Sequence, residues 1–123
     1  MLEVPKRWRL QRDFKKGKFC FLIGVDNWSI ELQKSEFNSL YLLLLRLNEQ
    51  LLNITDELMD EESINLEIEQ LPWYIELDGN KNEWDLRFVF DSQDQTRSFE
   101  MYWPIPIAQN LFNEIKNMWE SID

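Results

Sequence analysis

The 123 residues carry 23 acidic side chains against 13 basic ones, no histidine and one cysteine, for a net charge of −10. A hydrophobic content of 44 %, with six Trp and eight Phe, excludes a disordered chain, and the length suits a single domain over 1–123. One cysteine excludes an internal disulfide, the longest apolar run (residues 40–45) is far short of the roughly 20 residues of a membrane span, and the basic start lacks the apolar stretch of a secretory signal. A cytoplasmic protein without membrane contact is expected.

In chain order, residues 7–13 alternate: Trp8 and Leu10 point one way, Arg7, Arg9 and Gln11 the other. Phe14-Lys15-Lys16-Gly17 reads as a hairpin turn into a strand over 18–25, and Asp26-Asn27 as the turn into a third strand over 28–33. Ser35 is a good N-cap, and Phe37, Leu40, Tyr41, Leu44, Leu47, Leu51 and Leu58 then recur at helical spacing. Leu42, Leu43 and Leu45 widen that stripe, so a helix over 35–58, covered on two sides and the most buried element, is expected. Four strands follow: 64–70, with Ile64, Leu66 and Ile68 inward, then 73–77, 84–90 and 97–103. Pro104 and Pro106 close the last strand, and Ala108, Leu111, Phe112, Ile115, Trp119 and Ile122 mark the buried face of a final helix.

Two halves of this pattern match, over about 3–59 and 63–123. Trp8, Leu10 and Asp13 align with Trp73, Ile75 and Asp78 at an offset of 65. Phe19, Phe21 and Ile23 align with Leu86, Phe88 and Phe90 at 67, and Ser29 to Leu32 with Ser98 to Met101 at 69, each step being two extra turn residues. The expected fold is α+β, a tandem pseudo-two-fold repeat in which three or four antiparallel strands precede a helix, twice. Alternation then sends Arg7, Arg9, Lys18, Cys20, Leu22, Ser29 and Glu31 outward on the first sheet. On the second it sends Tyr74, Glu76, Asp85, Arg87, Ser98, Glu100 and Tyr102 outward.

Chemistry-bearing groups are sparse. Without histidine the commonest general base and metal ligand is missing, and Gly17, Gly24 and Gly79 form no phosphate loop. Cys20 sits among apolar strand residues as an inert thiol. Asp56, Glu57, Asp60, Glu61 and Glu62 lack the ligand spacing and central Gly of a calcium loop. No enzyme, cofactor or metal is therefore expected. Charge is polarised instead: residues 1–18 hold seven cations against Glu3 and Asp13, leaving a net −15 on the rest. Trp8, interleaved with Arg7 and Arg9, has the makings of a base-stacking ring in a cationic groove, although its alternation with Leu10 turns it toward the core.

Several segments carry a resemblance. Trp8-Arg9-Leu10-x-Arg12-Asp13, Trp28-Ser29-Ile30-Glu31-Leu32, Leu58-Met59-x-Glu61-Glu62-Ser63-Ile64, Pro72-Trp73, Trp103-Pro104-x-Pro106 and Met118-Trp119-x-Ser121 resemble a family of small cyanobacterial proteins of unknown function, over essentially the whole chain. That family is similar in fold to the Whirly and transcriptional-coactivator class of single-stranded DNA binders, which builds a four-strand-plus-helix unit twice, in a swapped dimer or in tandem. The resemblance implies the tandem version, with residues 3–6 as part of a fourth strand in the first half, and it brings no functional residues. Two expectations follow. The charge asymmetry points to a non-enzymatic interaction or regulatory module with a protein partner, monomeric because its halves satisfy each other. The fold resemblance points to single-stranded nucleic acid bound by Arg7, Arg9, Arg12, Lys15, Lys16 and Lys18.

Overall fold

The computed structural model describes residues 7–121, so the strand expected to draw on residues 3–6 and the burial expected of Ile122 fall outside it. The chain order is β1 (Trp8–Arg12), a 3-10 turn (Phe14–Lys16), β2 (Phe21–Val25), β3 (Trp28–Leu32) and α1 (Lys34–Thr55), then β4 (Ile64–Gln70), β5 (Trp73–Gly79), β6 (Trp84–Asp91), β7 (Ser98–Trp103) and α2 (Ile107–Glu120). The strands form two antiparallel sheets, β1-β2-β3 and β4-β5-β6-β7, so the α+β class expected from the periodicities is present.

Pairing corrects the alignment of the halves. Leu10 faces Ile23 as Ile75 faces Phe88, and Arg12 faces Phe21 as Leu77 faces Leu86, so β2 corresponds to β6 at 65, not 67. Ile30 faces Ile23 as Met101 faces Phe88, which puts β3 against β7 at 71, not 69. The first hairpins compared in this way are equally long, and the six extra residues before the next strand lie in the β6–β7 connection. A two-residue slip keeps the alternation in phase and leaves most apolar positions matched to apolar ones, so alternation alone could not detect it.

Other expectations change at element ends. The pairing of β2 starts only at Phe21; Asp13 N–H donates to Cys20 O at 2.8 Å to close the hairpin, and Cys20 is buried rather than outward. Before pairing begins, the strand's alternation does not govern where a side chain points. The N-cap of α1 is Gln33, not Ser35, and its N–H donates to Glu36 Oε1 at 2.9 Å. The helix stops at Thr55 because carboxylates at 56 and 57 meet the negative end of its dipole; Leu58 lies past the end yet still packs on the core. Nor is α1 the most buried element or covered on two sides, since Leu42 and Leu52 are exposed. Four of the five residues of β2 are buried, as befits the middle strand of three.

Each helix ties the halves together: α1 packs on β4 and β5, α2 on β6 and β1, and the helices touch. Aromatic rings fill the seam. Phe21 stacks on Phe37 with centroids 4.1 Å apart and Trp119 beside both, while Trp73 meets Phe88, Phe90 and Phe99 edge-on. Trp73 and Trp103 are fully enclosed, Trp84 is buried, and Trp8, Trp28 and Trp119 are partly buried against the same core.

Candidate interaction surfaces

Both sheets turn one face to the core and keep a wetted outer face, the ordinary arrangement for antiparallel sheets with helices on one side. The cations singled out in the sequence lie on the first sheet and its hairpin, and most are already engaged. Arg7 is bidentate on Asp26 at 2.9 and 3.0 Å; that pair raises the guanidinium's pKa and lowers the carboxylate's, chiefly through the hydrogen bonds. Arg9 folds flat over the sheet and donates to Trp28 O at 2.7 Å and Asp26 O at 3.1 Å. Its guanidinium occupies the space where a Cβ on Gly24 would stand, so a larger residue there would displace the Arg9 side chain from this position. Arg12 reaches α2, donating to Met118 O at 3.2 Å and Ser121 Oγ at 3.3 Å. Lys16 pairs with Glu31 at 3.2 Å.

What remains cationic sits at the hairpin tip and the start of α1. Lys15 is exposed, and Lys18 Nζ lies 5.9 Å from the Phe19 ring. Phe14, 52 % exposed, stands edge-on to Phe21 with Lys34 Nζ 5.9 Å from its own ring. In the sequence Phe14 belongs to a turn and Lys34 to no motif; their meeting depends on the hairpin folding back toward the helix start. Asp13, Glu31 and Asp94 lie among these lysines and cancel much of their charge.

The outer face of the second sheet is different in kind. Register sets out its rows: Asn65, Asp78 and Asp85; Glu67, Glu76, Arg87 and Tyr102; Glu69, Tyr74, Val89 and Glu100; Asp91 and Ser98. Seven carboxylates thus share one face with a single guanidinium. All seven outward residues expected from alternation are on it. Tyr102 Oη donates to Asp85 at 2.8 Å, and that bond, then burial, raises the phenol's pKa. For Tyr74, burial comes first and the Glu67 carboxylate second, both raising it. Asn65 Nδ2 bridges Asp78 at 2.7 Å and Glu76 at 3.3 Å.

Between the halves, Arg97 holds the seam. It donates to both oxygens of Glu36 (3.0 and 2.8 Å) and to Glu31 O (2.7 Å), with its guanidinium carbon 4.6 Å from the Phe19 ring centroid and 5.3 Å from that of Phe90. Nothing in the local sequence marks this residue, because its partners come from β3, α1 and the first hairpin. A cleft of about 300 Å³ beside it is lined by Lys18, Ser35, Ser39, Ser92 and Asp94. Among the described residues no three metal-type ligands converge, and the acidic run after α1 spends Asp60 on Lys81 at 3.2 Å. Among them also, no helix is long and apolar enough to cross a membrane.

The family model described as "Domain of unknown function (DUF1818)" matches residues 3–118. The chain is similar to a solved protein of unknown function from Prochlorococcus sp. NATL2A, described as of the DUF155 family. The two are 34 % identical, with a TM-score of 0.86 over 97 % of this chain and 99 % of that one. No curated protein matches the chain.

Proposed function

The chain belongs to the DUF1818 family of unknown function, and we propose that it is a non-enzymatic interaction module that docks a cationic protein partner on the outer face of β4–β7. The observation that carries this reading is the composition of that face, seven carboxylates and two tyrosines around one arginine. Such a surface attracts a basic partner from a distance, orients it on approach and repels polyanions.

Single-stranded nucleic acid is the second reading. The exposed ring of Phe14 beside Lys34, with Lys15 and Lys18 near it, supports it by supplying a stacking surface among cations. So does the order of three strands and a helix, then four strands and a helix, which agrees with a Whirly-like tandem repeat. Against it stand the internal engagement of Arg7, Arg9 and Arg12 and the net charge of −10, since affinity for phosphate depends on free cations.

Fluorescence anisotropy separates the two readings, using a labelled cationic peptide and a labelled oligothymidylate at about 50 and 200 mM salt. The peptide should bind, more weakly at higher salt, and should be released by the Glu67→Lys/Glu76→Lys variant. Amide substitutions at Asp56, Glu57, Glu61 and Glu62, which remove charge elsewhere, should leave it bound. Binding of the oligonucleotide alone, abolished by Phe14→Ala with Lys15→Glu, would replace this reading with the second.

A further inference from the structure

We propose that Tyr74 and the carboxylates around it form a subsite for an arginine side chain of the partner, with the guanidinium lying on the phenol ring. This rests on the acidic face being the docking surface. The face carries its own example of the contact. Arg87 Cζ lies 5.8 Å from the Tyr102 ring centroid and Arg87 Nη1 lies 3.9 Å from Glu76 Oε1, while the Tyr102 hydroxyl is anchored on Asp85. Three parts make it: a carboxylate holding the ring by its tip, a cation on the ring face, and a second carboxylate beside the cation.

Tyr74 repeats the ring and the carboxylates beside it. Glu69 is its direct cross-strand neighbour, Glu67 stands diagonally from it on β4, and Glu76 stands two residues along β5, all on the same face. Val89 and Glu100 continue its row on the other side. The ring is half-buried between Glu69 and Val89 on the outer face of the sheet. Among the described residues no Lys or Arg stacks on it. Arg87 is committed to the Tyr102 side, opposite Glu76 in register.

The chemistry selects guanidinium over ammonium. A guanidinium is planar and weakly hydrated, so it can lie on a ring while its edge N–H groups donate to neighbouring carboxylates. An ammonium at the same place keeps its charge attraction but offers no flat surface and sheds water less readily. Preference for arginine over lysine at equal charge is therefore the signature of this subsite, and general acidity does not produce it.

The test uses two labelled nonapeptides of equal charge, one repeating Arg-Gly-Ser and the other Lys-Gly-Ser, titrated into the full chain. The arginine peptide is expected to bind about two- to five-fold more tightly. Tyr74→Leu should remove that preference and leave the lysine peptide's affinity nearly unchanged. Tyr74→Phe, which keeps the ring and guards against a folding defect in the leucine variant, should retain it, as should Tyr102→Leu. Equal affinities in the wild-type protein, or a preference that survives Tyr74→Leu, overturns the subsite. The docking reading survives that result if Glu67→Lys/Glu76→Lys still releases both peptides, and falls with the subsite if it releases neither.

Discussion

Arg97 sits in the six-residue connection between β6 and β7 and joins three segments of the first half. Its partner Glu36 has a side chain only 11 % exposed, so the pair is held where water screens it little. Removing one member leaves the other charge buried without its counter-ion. Arg97→Ala is expected to cost roughly 3 kcal/mol in urea unfolding, and Arg97→Lys to recover only part, because a single ammonium cannot span Glu36 and the Glu31 carbonyl as the two guanidinium nitrogens do, nor stack between rings. A loss below about 0.5 kcal/mol, the scale of an exposed pair, would show that solvent reaches this bridge freely. In the same connection Asp94 accepts bonds from Thr96 Oγ1 and Ser92 Oγ, both at 2.7 Å, and from the Thr96 amide at 3.1 Å. These bonds, the Thr96 hydroxyl first, hold its carboxyl at about 2, below the ordinary 3.8. A depressed folded value means the loop's stabilisation is complete above the ordinary value and is lost as pH falls through the depressed one. The Thr96 amide resonance should therefore stay unchanged on acidification until the pH approaches about 2. In Asp94→Asn that late transition should be absent.

At the scale of elements, the second sheet places like charges directly opposite one another. Glu67 faces Glu76 across β4 and β5, and Asp78 faces Asp85 across β5 and β6. Such pairs weaken a sheet, and Asn65, bridging Glu76 and Asp78, offsets only part of the repulsion. Glu67→Lys should stabilise the free protein by about 0.2–1 kcal/mol in thermal unfolding while weakening the cationic peptide. A destabilised variant would mean that the Glu67–Glu76 repulsion is not the dominant effect at this position. The elements themselves were largely legible: strands alternate with period two and helices with the helical period, and both patterns survive in a single sequence. Their ends were less so. Gln33 rather than Ser35 caps α1 because Glu36 reaches back to it, and α1 stops early at its acidic flank.

For the whole molecule, the two helices cross between sheets, and the seam they close is aromatic and buried. That coverage is the ground for expecting a monomer. Light scattering after size exclusion should give about the chain mass of 15.1 kDa, and a species near twice that would contradict the expectation. The net charge of −10 adds long-range repulsion between copies at low salt. Polarity at this scale also differs from the first impression. The basic start of the chain is not a basic face, because folding spends its arginines on Asp26, on main-chain carbonyls and on α2. The acidic face persists because, among the described residues, Glu76 with Arg87 is the ion pair on it.

By itself the sequence determined the α+β class, most of the core residues of the strands, and the outward set of Tyr74, Glu76, Arg87, Glu100 and Tyr102. These follow from short-period patterns, which are local. Only the tertiary structure decided the register between halves, since a two-residue slip is invisible to a period of two. It also decided which cations remain available and which carboxylates meet them. Arg97 reaches Glu36 across 61 residues, Arg12 reaches Met118 across 106, and no local pattern carries information over such distances.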